Sequence, residues 1–356
     1  MPIEPVNYPF GTPTTEGAFR VVGTGETLFV KIVRSFRHWP LIDTLPQDLR
    51  EEAIASPLWH YEADVYTSGM GALLPDGMRL PRVYAVADLL DDRIAIVMEN
   101  VEVADADWDT ARFARAAYLL GRLNARLTVH DALPASAFRT PGLRTELHYT
   151  GRLQIADLPA VADDRSWAHP LLAPHTGLRS ALDRLVPHLP AVIDRLARLP
   201  QMLVHGDFSP QNLLVPAGDP ESFVVIDWSL GGLAAVGDDL GQLLIGLAHA
   251  GEVPVAALPG LHEVLLRAYA EGLADEGWAA TEEQIRYGFD GGLLLRSAFS
   301  ALPWPLLGEP LTDDLAALIE ARIALTAYLC ELGLATVASP DPARLTGSTQ
   351  GPVRTS

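Results

Sequence analysis

One short run of residues constrains the fold of this chain more than any other feature. It reads HGDFSPQNLL from His205 to Leu214, and the apolar segment VVI then leads into Asp227. Apolar segments on either side of a polar, proline-containing loop predict short strands joined by that loop. Two carboxylates and one carboxamide, those of Asp207, Asn212 and Asp227, therefore fall on loops at strand ends.

These three side chains form the set that phosphoryl transfer requires. One Asp orients the attacking hydroxyl and takes its proton, while an Asn and a second Asp hold Mg²⁺ on the nucleotide phosphates. We therefore predict Asp207 as the catalytic residue, and Asn212 and Asp227 as ligands of Mg²⁺. Each also has a plain structural alternative as a turn or strand-end residue. His205 has no partners at metal-binding spacing, and we predict that it is a structural histidine that hydrogen-bonds the loop.

Composition and charge limit the classes of protein and of partner. The chain has 356 residues, 49% of them apolar, which is typical of a globular protein with two domains or lobes. A net charge of −19 argues against binding to nucleic acid or to an anionic membrane. The sequence has no signal pattern, no apolar run of bilayer length and one cysteine, Cys330, so we expect a cytoplasmic protein. It gives no indication of the oligomeric state.

The only lysine of the chain, Lys31, is a candidate phosphate ligand. A site that needs a compact charge on a flexible stem resists replacement by arginine, although survival by chance explains a single lysine about as well. Lys31 lies in a strand-like run from residue 27 to 33. Glu62, on a predicted helix from 49 to 68 that Pro57 interrupts, is the predicted partner of Lys31, with Glu51 and Glu52 as alternatives on the earlier part of that helix.

A loop at residues 10–17 precedes the strand before Lys31 and contains two glycines and several hydroxyl residues. Its backbone N–H groups are suited to cover nucleotide phosphates, and Thr14 and Thr15 are the predicted contacts. An ordinary loop of the same composition is the alternative.

Along the chain, patterns of strands give way to patterns of helices. Residues 18–100 read as β-rich with one helix, and helices are predicted at 110–130, 178–199, 240–250, 258–276, 282–301 and 312–334. We therefore predict an α+β fold with a small β-rich lobe (1–101), a larger helical lobe (102–338) and a disordered tail (339–356). A cleft between lobes is a favoured ligand site.

The run 205–214, the strand end 226–228 and the segment 237–240 resemble the aminoglycoside phosphotransferase and choline kinase-like family, small-molecule kinases with a bilobal protein-kinase-like fold. The resemblance covers about residues 8–335. It implies ATP or GTP as co-substrate, Mg²⁺ and a small hydroxylated acceptor. It further implies that the connector from Glu99 to Val101 binds the nucleotide base through backbone groups, and that Asp239 is a structural cap. No protein-kinase activation segment follows Asp227, which argues against a protein substrate.

The acceptor is the least determined part of the sequence. The resemblance places it against the helices after Asp239, where the candidates are Tyr287, Asp290, Arg296 and Trp304. This mixture of aromatic and charged side chains suits an aminoglycoside or other antibiotic, a sugar or a nucleoside-like ring. A role in antibiotic resistance, a metabolic kinase of the choline, homoserine or amino-sugar type, and a pseudokinase-like binding module all stay open.

Overall fold

The computed structural model describes residues 2–6, 13–137 and 139–340. Its first hundred residues contain a five-stranded antiparallel sheet in the order β1-β2-β3-β6-β5. The strands of this region are β1 (Ile3–Pro5), β2 (Thr15–Val22), β3 (Thr27–Arg34), β4 (Met78–Arg79), β5 (Val83–Asp88) and β6 (Arg93–Glu99). The rest of the described chain is mainly helical, which confirms the predicted α+β fold.

The predicted strand around Lys31 is β3, in the middle of the sheet. Lys31 pairs with Ala18 on β2 and with Ile96 on β6. Side chains alternate along a strand, so Lys31 shares its face with Val33, which belongs to a small buried apolar cluster. This arrangement points the only lysine of the chain towards the helix that covers the sheet.

That helical region is divided as Pro57 predicts. Helix α1 (Gln47–Ala55) ends just before Ser56, and Pro57 begins a 3₁₀ turn that leads into α2 (Tyr61–Thr67). Proline is tolerated at the first position of a helical turn because the N–H that it lacks has no partner there. Helix α2 presents the buried side chain of Glu62 to β3.

The remaining helices agree with the predicted ranges and add one region that the sequence did not indicate, residues 143–167. The apolar face of the helix predicted at residues 110–130 is buried in the main core. Two segments, 149–157 and 294–298, are π-helical. The helices are α3 (Thr110–Val129), α4 (Leu143–His148), α5 (Leu158–Ala162), α6 (Asp164–Trp167), α7 (Thr176–Leu185), α8 (Leu189–Arg198), α9 (Leu240–Ala250), α10 (Leu258–Asp275), α11 (Glu282–Leu293) and α12 (Asp313–Ala338).

Four short strands carry the loops of the central motif. They are β7 (Gln201–Val204), β8 (Leu213–Leu214), β9 (Phe223–Val225) and β10 (Gly232–Ala235). Strand β7 pairs with β10, and β8 pairs with β9, so the loop after β7 and the loop after β9 are anchored on adjoining strand pairs. Among the helices of the described residues, none combines the length and the apolar character needed to cross a bilayer. Most of the predicted tail lies outside the described residues.

Candidate active site

Lys31 lies between two carboxylates, those of Glu62 and Asp227, that are far apart in the sequence. Its Nζ is 2.6 Å from Oε2 of Glu62 and 3.0 Å from Oδ1 of Asp227. Burial raises the pKa of Glu62, and the ammonium group of Lys31 opposes that shift. The Tyr66 hydroxyl also donates to Oε1 of Glu62. The predicted Lys31–Glu62 pair is therefore a buried ion pair that also fixes the position of Asp227.

The backbone of Asp227 is unusual. Its φ is +58°, in the left-handed region that costs a non-glycine residue roughly 1–3 kcal/mol. The Ser229 hydroxyl donates to Oδ1 of Asp227, and Lys31 donates to the same oxygen. These two contacts stabilise the side chain of Asp227 on a backbone conformation that an ordinary strand end does not adopt.

Asp207 and Asn212 lie together at the loop after β7. The Asn212 Nδ2 donates to the backbone oxygen of Asp207 at 2.8 Å and to its Oδ2 at 3.1 Å. The backbone of Asn212 is in turn fixed to the second loop, because its carbonyl accepts from the N–H of Ile226 at 3.0 Å. Asn212 thus joins the loop that carries Asp207 to the segment that carries Asp227.

Arg296, predicted to contact the acceptor, is hydrogen-bonded to Asp207. Its Nη2 donates to Oδ1 of Asp207 at 2.8 Å, and its Nη1 donates to the carbonyl of Gly206. The side chains of Arg296 and Asp207 are 26% and 29% exposed, so the pair faces an opening. The π-helical segment 294–298 is what carries Arg296 to this position.

The base of the loop is held by buried polar groups. Asp239 accepts from the backbone N–H of His205 at 2.8 Å and of Gly206 at 2.7 Å, as expected for the structural cap that the resemblance implies. The His205 Nδ1 accepts from the N–H of Asp207, and Nε2 therefore donates to the carbonyl of Ile226. Burial lowers the pKa of His205 and raises that of Asp239. His205 is thus a neutral structural histidine, as predicted.

The remaining predicted nucleotide contacts are Thr14, Thr15, Glu99 and Val101. Thr14 and Thr15 are buried, and Thr15 already belongs to β2, with its Oγ1 lacking a hydrogen-bond partner among the described residues. Residues 10–12 of the predicted phosphate loop lie outside the described part. Glu99 ends β6 with its carboxylate accepting from the N–H of Arg82, and Val101 follows at the start of the connector.

Three of the four candidate acceptor residues are occupied elsewhere. The carboxylate of Asp290 is 2.6 Å from Nε2 of His262 and is buried. The Trp304 Nε1 donates to the carbonyl of Phe299, and the Tyr287 ring packs under the guanidinium group of Arg195. The cavity beside Asp207 is lined by Arg296 and by none of the other three candidates.

This cavity has a volume of about 1350 Å³ and is lined by Asp207, Ser209 and Arg296. Its other walls come from α1 and from residues 136–152. The sequence places residues 132–168 among the walls of the acceptor site, but no motif and no regular period singles out the polar side chains Arg144, His148 and Arg152 within that stretch. The site is thus a buried lysine–carboxylate pair, a polar loop and a large cavity beside the exposed carboxylate of Asp207.

A helix-covered antiparallel sheet with a buried Lys–Glu pair, followed by a mainly helical part with this loop, defines a kinase-like phosphotransferase fold. A model of the phosphotransferase enzyme family (APH) matches residues 18–283. The chain therefore belongs to the phosphotransferase enzyme family. A comparison with curated protein sequences gives no match.

Solved structures agree on the fold. A putative aminoglycoside phosphotransferase from Ralstonia eutropha JMP134 superposes with a TM-score of 0.53 at 14% identity, over 94% of this chain and 92% of that chain. A spectinomycin phosphotransferase bound to ADP and spectinomycin gives 0.52 at 15% identity, with the same coverage. An amicoumacin kinase in complex with AMP-PNP, Ca²⁺ and Ami gives 0.52 at 13% identity, over 94% of this chain and 90% of that chain. At these identities the likeness shows the fold alone.

Proposed function

We propose that this phosphotransferase moves the terminal phosphoryl group of ATP or GTP to a hydroxyl group of a small molecule, with Mg²⁺. The observation that carries the proposal is the hydrogen bond from Asn212 to Asp207, whose carboxylate lines a large cavity. A bond from the N–H of Ile226 to the carbonyl of Asn212 ties this loop to the segment that carries Asp227. Lys31 adds the cation that phosphates require, held by Glu62 within 3.0 Å of Asp227.

The donor set fits a magnesium ion. The amide nitrogen of Asn212 is bound to Asp207, so its amide oxygen is the atom that remains for a cation. Among the described residues no group of three His, Cys, Asp or Glu side chains is able to hold a metal without help. A site of one carboxylate and one amide suits Mg²⁺, which keeps waters and takes further oxygens from the phosphates. Asn212 and Asp227 would hold the Mg²⁺, and a cation held there would neutralise charge on the nucleotide phosphates.

In this mechanism the oxygen of the acceptor hydroxyl forms a bond to the γ-phosphorus as the bond from that phosphorus to the bridging oxygen breaks. The hydroxyl proton passes to the carboxylate of Asp207, and the nucleoside diphosphate leaves. Asn212 and Arg296 hold that carboxylate in one orientation by contacts on its two oxygens. Lys31 stabilises the phosphate charge, so positioning and electrostatics supply most of the rate.

The comparisons support the same classes of ligand. The spectinomycin phosphotransferase structure contains ADP, and the amicoumacin kinase structure contains AMP-PNP and Ca²⁺. The first structure also contains spectinomycin, a small molecule, which supports a small-molecule acceptor for this chain. The binding-module alternative is disfavoured because Lys31, Asp207, Asn212 and Asp227 are all present and joined in one site.

The experiment is an assay of nucleoside diphosphate release with ATP and with GTP, against a panel of hydroxylated small molecules. Phosphorus NMR then shows whether a phosphate ester is formed. We expect activity to require Mg²⁺, to disappear with EDTA and to fall strongly in Asp227→Asn. The matched control is Asp219→Asn, an exposed carboxylate in a surface turn. Diphosphate release that is unaffected by EDTA and by Asp227→Asn contradicts the proposal.

A further inference from the structure

The cavity does not share the strongly acidic character of the whole chain. The protein has a net charge of −19, yet four arginines and three carboxylates line the cavity. A further carboxylate, that of the buried Asp157, pairs with Arg152. The charged lining residues are Arg139, Arg144, Arg152, Arg296, Glu52, Asp207 and Asp238. A cavity that served a polycation would be expected to concentrate the acidic character of the chain, and this one does not.

Two of the three carboxylates in this wall are already neutralised by arginines of the same wall. Asp207 is 2.8 Å from Arg296. Asp238 forms an ion pair with Arg144, and both side chains are largely buried. An ammonium group of a ligand would therefore compete with a guanidinium group for the same carboxylate. It would also lie close to the positive charge of other arginines.

The same wall contains buried polar atoms that lack partners. His148 is surrounded by Arg296, Arg144 and Arg152, and burial together with these cations lowers its pKa to about 3. The Nε2 of His148 and the Nε of Arg144 are buried and have no hydrogen-bond partner among the described residues. A buried polar group without a partner costs about 1–3 kcal/mol, so these atoms favour a ligand that satisfies them.

Another part of the cavity lining is apolar. Leu143, Leu147 and Leu295 are close to the arginines in sequence, and Leu49 of α1 and Trp39 before α1 add to this lining. A ligand that fills both parts needs an anionic group at the arginines and an apolar body against these side chains. Guanidinium groups bind carboxylate and phosphate oxygens in pairs, which gives such a group a defined orientation.

We propose that the acceptor is a hydroxylated acid, a small molecule whose carboxylate or phosphate group binds Arg144 and Arg152 while its hydroxyl reaches Asp207. This inference rests on the proposed function and specifies its substrate class: an anion, not an aminoglycoside-like polycation. The step transfers the γ-phosphoryl group to the hydroxyl oxygen as described above, and the anionic group of the acceptor takes no part in bond making.

The test is calorimetric binding to the full chain saturated with Mg²⁺ and AMP-PNP, so that the nucleotide site is filled. The probes share one ring: D-glucuronate, D-glucose 6-phosphate, D-glucose and D-glucosamine. We expect at least one anion to bind no less than tenfold more tightly than glucose and glucosamine. The two anions distinguish a carboxylate from a phosphate as the preferred group. Equal affinities, tighter binding of glucosamine, or no binding of either anion overturns the proposal.

Two variants connect this preference to the arginines. Arg144→Gln and Arg152→Gln should each reduce the anion preference at least tenfold, and the control Arg165→Gln should not, since Arg165 is 92% exposed and does not line the cavity. Because Arg152 pairs with the buried carboxylate of Asp157, the double variant Arg152→Gln/Asp157→Asn, which strands no buried charge, is measured beside the single variants. A preference unchanged in Arg152→Gln contradicts the proposal.

The binding measurement needs no phosphoryl transfer, so the two proposals fail separately. An Asp207→Ala variant that loses transfer is expected to keep the anion preference. A wild-type protein that prefers anions but never forms a phosphate ester would contradict the proposed function alone. A protein that transfers phosphate to glucosamine and ignores both anions would contradict the substrate class alone.

Discussion

Arg296 donates a hydrogen bond to Oδ1 of Asp207 at 2.8 Å, across 89 residues of sequence. Asn212 contacts the other oxygen, Oδ2, at 3.1 Å. The carboxylate that the account assigns to the acceptor hydroxyl is therefore fixed from both sides by groups of different origin. The guanidinium group also places a positive charge next to the position where phosphoryl transfer concentrates negative charge.

We therefore predict that Arg296→Ala lowers kcat by about 10²-fold, the typical cost of one electrostatic contact in a transition state. The dissociation constant of the nucleotide should change little, and Arg296→Lys should restore part of kcat because it returns the charge without the paired donors. Steady-state kinetics with nucleotide binding measured in parallel checks this. The control is Arg267→Ala, which is exposed on α10. An unchanged kcat in Arg296→Ala would remove Arg296 from the site.

A second prediction concerns the buried ion pair. Lys31→Met leaves the carboxylate of Glu62 buried without its cation, and breaking a buried pair costs about 3–5 kcal/mol. The double variant Lys31→Met/Glu62→Gln removes the stranded charge, so it should recover much of that free energy of unfolding. It should not recover nucleotide affinity, which needs the ammonium group. Denaturant unfolding and nucleotide titration separate the two effects. Full recovery of nucleotide affinity in the double variant would show that Lys31 has only a structural role.

The loop of the central motif depends on one glycine. Gly206 has a φ of +85°, and a Cβ there would lie 1.9 Å from the carbonyl oxygen of Leu230. Gly206→Ala should lower the free energy of unfolding by about 2 kcal/mol or more and displace Asp207, so that kcat falls more than nucleotide affinity. Gly218→Ala is the matched control, because no atom lies within 4 Å of its Cβ position. If both variants behave alike, the close approach at Gly206 has no consequence.

The sequence predicts those parts of the site that depend on local patterns or on the order of a motif. It does not predict those that depend on how distant elements pack. Helix α9 was predicted at residues 240–250 and is found there, since local apolar periodicity defines it. The pair of Lys31 and Glu62 was predictable because the motif fixes their order along the chain. The contact of Arg296 with Asp207 was not, because it depends on how two distant elements pack. The contact of Asp290 with His262 depends on packing in the same way, and the sequence does not reveal it.

The cavity histidine gives a prediction of pH dependence. The pKa of His148 is about 3 in the folded protein because of burial and of the surrounding arginines, against about 6.5 in the unfolded chain. Between these values the unfolded state binds one more proton, so the free energy of unfolding decreases as the pH falls, by at most about 1.4 kcal/mol per unit. The contribution is complete above pH 6.5 and is lost below it.

Denaturant unfolding at pH 6.5 and pH 5 measures this slope. His148→Gln should make the dependence on pH shallower, whereas His188→Gln, at an exposed histidine, should leave it unchanged. The same slope in His148→Gln as in the wild type would mean that the imidazole of His148 is not held neutral by its surroundings.

The most direct test of the account is the turnover number of Asp207→Ala with Mg²⁺, nucleoside triphosphate and an acceptor that the wild type phosphorylates. A group that takes the hydroxyl proton contributes about 10²- to 10⁴-fold to the rate, so we predict a loss of that size. The dissociation constant for the nucleotide should stay within about twofold of the wild-type value, since Lys31, Asn212 and Asp227 remain in place. Turnover equal to that of the wild type would contradict the assignment of Asp207 and, with it, the proposed mechanism.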